Sequence, residues 1–357
     1  MHIASLDGFE QQRPQAGPTH DHLNQPIVRP LQPALRAPYV TEGALGIERQ
    51  LPAKLVLGVN YINTHGLHLL RSRDINALLP NGNGARPSSG GGIFQYESSG
   101  LLNQNQLITS LSRRFGGGLS LFGYYAYGRA FTNTDGPGTF PMNQYNPNAD
   151  YGRAATDIRH RVVIGTSFLT PLGLRLGPFL LARSGAPFDI LTGHDLTGDG
   201  IFTARPAFAY NPGAANVVAT PYGLFDVKPG PAATIIPRYY GQAPSYATLN
   251  LRLSKTFGFG GLKEGRTSGG KRGASGLSPE EGGLHNILHY GSTGQRYNLT
   301  FSIQVRNMLN HTNPGLPVGN LSSPLFGLSP WLASAAGPQS IAEGDNRRIQ
   351  FQVRFSF

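Results

Sequence analysis

Near the end of the chain apolar and polar positions alternate. Ile349, Phe351, Val353, Phe355 and Phe357 fall on one face, and Arg348, Gln350, Gln352, Arg354 and Ser356 on the other. A period of two predicts a β-strand. The same rhythm sets Tyr297, Leu299, Phe301, Ile303 and Val305 against Asn298, Thr300, Ser302, Gln304 and Arg306. Each such apolar side chain gains roughly 1.5–3 kcal/mol on leaving water, so this face must meet a core or a lipid. Further strands of this kind are predicted over 54–63 (Leu55, Leu57, Val59 and Tyr61 on one face), 107–115, 119–128, 161–170, 174–183 and 246–257, with a weaker member over 39–50. Several exceed the five or six residues usual in globular proteins and match the about nine to eleven that a tilted strand needs to cross a bilayer.

The connections sort by length. The segments 50–53, 115–118 and 170–173 read as tight turns, and 64–106, 129–157, 184–245 and 308–346 as long polar loops rich in Gly, Pro, Asn and Asp. With the last strand descending to the periplasm, the turns fall on the periplasmic side and the long loops outside, the arrangement of transmembrane β-barrels. A soluble sandwich has no reason to sort loops by parity. The exception is 258–294, long, basic and Gly-rich, read as a disordered insertion in a periplasmic turn. Aromatic residues gather near strand ends (Phe122, Tyr124, Tyr125 and Tyr127; Tyr239 and Tyr240; Phe257 and Phe259; Phe355 and Phe357), as interfacial girdles do.

Composition narrows the class. Gly 48 and Pro 28 in 357 residues exclude a mostly helical protein, and charged residues at 14% are replaced by uncharged polar ones. No apolar run is long enough for a transmembrane helix, and residues 1–18 hold neither a basic nor an apolar signal-peptide region. Zero cysteines exclude disulfides and thiolate metal sites. The net charge of +11 is carried mainly by arginine, which suits phosphate and carboxylate partners. No nucleic-acid motif accompanies it. Arg252, Arg306, Arg348 and Arg354 recur instead on the polar strand face with Gln350 and Gln352, and this face is read as the lumen. An arginine on the lipid face at midplane would cost roughly 2–4 kcal/mol. Leu299, Phe301, Ile303, Val305, Ile349, Phe351, Val353 and Phe355 then face lipid.

Six segments together resemble the C-terminal barrel portion of TonB-dependent, Oar-like outer-membrane proteins. They are Gly46 to Pro52 leading into 55–66, Asp157 to Val163, Ala182 to Phe188, Leu249 to Thr256, Arg306 to Asn310, and Arg354 to Phe357. The terminal Phe357 resembles the outer-membrane assembly signal. The resemblance spans residues 38–357 and implies an all-β, antiparallel transmembrane barrel, here a partial one of about 8–12 strands from a 22-stranded wall. Residues 1–37 are expected to be a disordered or loop-like N-terminal segment. The implied partners are outer-membrane lipid and lipopolysaccharide, the barrel assembly machinery, and the TonB system through a plug that this sequence lacks. The expectation is a fragment of a longer receptor, inactive alone in transport. A small self-closing pore or adhesin and a soluble β-sandwich binding module are the alternatives.

No enzyme motif survives inspection, and neither catalytic residues nor cofactors are expected. His285 and His289 have zinc-protease spacing, but Asn286 stands where the general base belongs. The 265–272 run resembles a phosphate loop with Arg272 in place of the magnesium-holding hydroxyl. Asp195, Thr197 and Asp199 imitate the first half of a calcium loop, yet Pro206 replaces the bidentate Glu; they remain a weak calcium candidate against an ordinary Asp/Gly turn. His20, Asp21 and His22 lie in the Pro/Gln-rich start.

Overall fold

The computed structural model describes residues 28–80, 84–114, 119–262, 293–333 and 346–357. Its strands are β1 (Tyr39–Leu51), β2 (Leu55–Asp74), β3 (Phe94–Arg114), β4 (Ser120–Thr132), β5 (Gly152–Arg153), β6 (His160–Leu169), β7 (Leu174–Arg183), β8 (Pro187–Phe188), β9 (Ala207–Phe208), β10 (Val217–Thr220), β11 (Gly223–Asp226), β12 (Gly241–Gln242), β13 (Tyr246–Leu262), β14 (Gln295–Arg306) and β15 (Arg348–Ser356). One antiparallel sheet takes the order β1-β2-β3-β4-β6-β7-β13-β14-β15, with β5 added to β4. It is an open wall: among the described residues β1 and β15 end it and do not pair with each other.

Register keeps the two faces separate across the wall. Phe351 sits opposite Ile303, which sits opposite Leu253; Gln352 sits opposite Ser302, opposite Ser254. Burial is inverted relative to a water-soluble sheet. On β14, Thr300 and Ser302 are 4% and 5% exposed, whereas Phe301 and Ile303 are 46% and 36% exposed. Leu45, Ile47, Val59, Tyr61, Leu107 and Ile164 extend the exposed apolar face over the first half of the wall. A face this apolar and this exposed requires a nonaqueous surround.

The short connections close locally. Pro52–Lys54 makes one 3-10 turn, with Ala53 and Lys54 both at positive φ. Between β6 and β7 the Thr170 carbonyl accepts the Gly173 amide at 2.9 Å, and Gly173 takes a φ of 70° that a side chain would disfavour. The third tight turn, 115–118, lies outside the described residues, as do 1–27 and most of the 258–294 segment.

Two readings of the chain need correction. The 64–106 segment is largely strand, since β2 continues to Asp74 and β3 begins at Phe94. Adjacent leucines at 69–70 and 101–102 and the polar runs 71–74, 97–99 and 103–106 break the alternation there, so no sustained period of two betrays these extensions. The segment 184–245 is not a plain loop either. It holds β8 to β12 and, with residues 316–326, forms a dome around Phe188, Ile190, Phe225, Ile236 and Ala243, against which Phe208, Tyr222, Leu316, Leu321 and Phe326 pack.

The aromatic residues divide. Phe259, Tyr297, Phe355 and Phe357 form a ring cluster at the turn end, with Tyr297 stacked on Phe355 at 5.9 Å, and Phe257 meets Phe301 edge-on nearby on the strands. Tyr125 and Tyr127 lie on the apolar face, but Phe122 and Tyr124 pair with Gly165 and Val163 on the opposite one. Tyr240 belongs to the dome, edge-on to Phe208 at 5.4 Å.

Candidate functional site

The long arms of β2 and β3 rise past the apolar face into a polar assembly at the loop end. A bulge around His68, at a φ of 57°, shifts the register between Gly66 and Arg71. Gly100 makes the close approach possible: a Cβ there would lie 2.6 Å from the Leu69 carbonyl oxygen and from Thr134 Cγ2. Above the bulge Arg71 and Glu97 meet. Arg71 Nε donates to Glu97 Oε1 at 2.9 Å, Arg73 Nε donates to Oε2 at 2.8 Å, and the Ser99 hydroxyl donates to Oε1 at 2.6 Å. Arg71 is 1% exposed and also donates to the Pro147 carbonyl, which ties the arm to the next loop.

Asp74 organises the hairpin tip. Its Oδ1 accepts the amides of Asn76 and Ile93, and the Asn76 side chain binds Gly91 and Ser88 in turn. The Gln144 side chain accepts the Asp74 amide at 3.0 Å. Arg205 and Asp150 form a further buried pair at 2.6 Å, and Arg153 and Arg159 both hold Asp157. Arg238 and the Tyr239 hydroxyl converge on Asp135. Such pairs fix geometry more than they stabilise, because desolvation offsets most of the attraction.

Of these groups Asp135 and Tyr239 line a cavity of about 540 Å³, whose other walls include Leu69, Leu70, Leu102, Pro137 and Ala154. Burial, the negative charge of Asp135 and its bond to Asp135 all push the Tyr239 phenol well above its ordinary range, so it stays a hydrogen-bond donor. Burial also raises Asp189, outweighing the Tyr239 amide and the arginines at 205 and 238. A folded-state value above the ordinary 3.8 means ionised Asp189 destabilises the loop end, fully above the folded value and not at all below the unfolded one. Asp189→Asn still accepts the Tyr239 amide. Hydrogen exchange at that amide should therefore be slower than in the native chain at neutral pH and converge with it near pH 4. Faster exchange at neutral pH would show that attraction to the arginines outweighs burial.

Arg252, Arg306, Arg348, Gln350, Gln352 and Arg354 share one face by register, and Leu299, Phe301, Ile303, Val305, Ile349, Phe351, Val353 and Phe355 the other. None of them reaches the loop-end cavity. Phe357 packs on Phe355 at the end of the ring cluster. Asp195 has its oxygens committed to the backbone: Oδ1 accepts the Gly198 amide at 2.7 Å and Oδ2 that of Gly200 at 2.8 Å. Thr197 bonds to the same Oδ1, Asp199 turns to the Ile201 amide, and no metal-holding group of acidic or histidine side chains occurs among the described residues. These bonds give the segment the backbone geometry of an Asp/Gly turn. The histidine pair 285/289, the 265–272 run and residues 20–22 lie outside the described residues. The Arg71, Arg73, Asp74 and Glu97 assembly escaped sequence reading; its signal is an Arg-x-Arg-Asp run facing a glutamate across a polar hairpin.

An open antiparallel wall with an exposed apolar face, a polar inner face and loops gathered at one end defines a segment of transmembrane β-barrel. The chain belongs to the outer membrane beta barrel domain family, whose model matches residues 3–268. Two solved structures are similar to parts of it. The outer membrane transporter YddB from Escherichia coli matches at 12% identity and a TM-score of 0.44, over 78% of this chain and 30% of that one. The FrpB iron transporter from Neisseria meningitidis (F3-3 variant) matches at 9% identity and a TM-score of 0.42, over 92% of this chain and 32% of that one. The chain thus spans about a third of the length of either transporter. No curated protein matches it.

Proposed function

We propose that this chain is a wall segment and outer vestibule of a TonB-dependent, Oar-like outer-membrane receptor. In this reading it is non-enzymatic and takes up, exports or presents a ligand gripped at the loop end. The observation that carries the reading is strand parity. Among the described residues nine wall strands alternate in direction, so β1 and β15 run the same way. Closing them on each other would create a parallel seam, whereas bacterial single-chain barrels use even strand numbers. An odd number of further strands is needed, which favours a larger wall over the small self-closing pore. A single sheet with its apolar face outward also leaves no second layer for a soluble sandwich.

The inner face supports a filled lumen. Phe122, Tyr124, Val163, Phe179 and Leu181 share that face by register, and Phe122 meets Tyr124 edge-on at 6.1 Å. A water-filled channel has no use for such a patch; a plug would cover it. Periplasmic turns, extracellular loops and delivery by the barrel assembly machinery belong to the same reading. Fractionated native cells, blotted with an antibody against residues 296–357, should show an outer-membrane band much larger than 38.3 kDa. A band near that mass that conducts ions after purification would establish the pore instead.

A further inference from the structure

We propose that the apolar face carries, at the loop end, a binding site for the phosphorylated head group of the outer-leaflet glycolipid, built around Arg129 and His160. The proposal rests on the reading that this face meets lipid with the loops outside. Successive rungs of register describe the site. Leu57, Leu111, Gly123 and Ile164 form one rung, and Val59, Thr109, Tyr125 and Val162 the next. Chemistry then changes within two rungs: Tyr61, Leu107, Tyr127 and His160 come first, followed by Asn63, Asn105 and Arg129. Acyl chains suit the lower rungs, and a polar, anionic head group suits the upper two.

The polar side chains are held in place by one another. Arg129 is exposed, and its Nε donates to the Tyr127 hydroxyl at 3.1 Å. This bond fixes the guanidinium stem while Nη1 and Nη2 bond to none of the described residues. The Tyr125 hydroxyl bonds to His160 Nδ1 at 2.8 Å, and Tyr127 lies 5.3 Å from the imidazole, ring to ring, while Nε2 bonds to none of the described residues. The Tyr61 hydroxyl and the Asn63 amide both donate to Asn105 Oδ1, at 2.6 and 2.9 Å. Adjacent strands lie about 4.8 Å apart, so Arg129, His160 and the asparagines fall within one head group's span.

No aspartate or glutamate occurs on these rungs. Asp157, the nearest acid in sequence to His160, is buried and committed to Arg153 and Arg159. A guanidinium with free N–H groups beside an imidazole, phenols and amides, with no competing carboxylate, fits a phosphate monoester on a sugar. Its position directly above an apolar band selects a phosphate carried on a lipid over one free in solution.

The test uses the full chain extracted from outer membranes in mild detergent and titrated with diphosphorylated lipid A, with occupancy read by native mass spectrometry. Arg129→Gln should raise the half-saturating concentration about tenfold, the loss expected for one charge-assisted contact. His160→Gln should raise it severalfold, which keeps the test alive if the arginine variant fails to assemble. Arg49→Gln, on the same face at the turn end, should leave it unchanged. Equal binding by all variants, or equal loss in the Arg49 variant, would overturn the site. Displacement of lipid A by excess inorganic phosphate would overturn the lipid source. If the native chain stays soluble and binds no lipid A, the membrane reading itself fails; native binding that ignores both site variants removes only the site.

Discussion

Phe351→Arg is expected to block membrane assembly, and Gln352→Arg to leave it intact. The two positions are adjacent in sequence and opposite in environment. Phe351 is 74% exposed on the apolar face, paired with Ile303 and flanked along its strand by Ile349 and Val353. Gln352 pairs with Ser302, itself 5% exposed on the inner face. A charge on the lipid face near the middle of the band costs roughly 2–4 kcal/mol, and one on the inner face is solvated. At 1.36 kcal/mol per tenfold, the first variant loses roughly 30- to 900-fold in its assembly equilibrium. The heat-shifted fraction on cold gels of purified outer membranes measures this directly. Equal assembly of the two variants would show that the faces are assigned the wrong way round.

The wall was legible because its physics is local. A strand with one apolar and one polar side must alternate, so 297–305 and 349–357 announced their strands and which positions share a side. The sorting of short and long connections was legible for the same reason. What lay above the apolar band was not. Residues 64–74 and 94–106 are strands in which apolar and polar side chains follow no sustained period of two, and only their pairing partners distinguish them from loops. The dome depends on contacts between Phe188, Phe225 and Phe326, residues far apart in sequence whose spacing follows no period. Phe122 and Tyr124 look like girdle residues until register sets them on the inner face beside Val163. Similarly, the use of the Asp195 carboxylate as an acceptor for its own loop's amides follows from backbone geometry that the residue spacing does not specify.

The loop end should also be separable from the wall, with Glu97 as the point of attack. Its carboxylate is the shared anion for Arg71 and Arg73, at 2.9 and 2.8 Å, and the side chains of Glu97 and Arg71 are 6% and 2% exposed. Glu97→Ala leaves the buried Arg71 cation with only the Pro147 carbonyl for company. Removing one partner of a buried pair costs about 3–5 kcal/mol, more than a locally folded loop can absorb. Residues 84–93 and 147–150 should then become sensitive to added protease, while the heat-shifted mobility of the wall is retained. Glu97→Gln, which keeps acceptor geometry without the charge, should fall between the two. Replacing Arg71 and Glu97 together by methionine should restore most of the protection, since two apolar side chains leave no orphaned charge. If the single alanine variant loses the wall as well, arms and wall form one cooperative unit. If it loses neither, Arg71 escapes to water more easily than its burial implies.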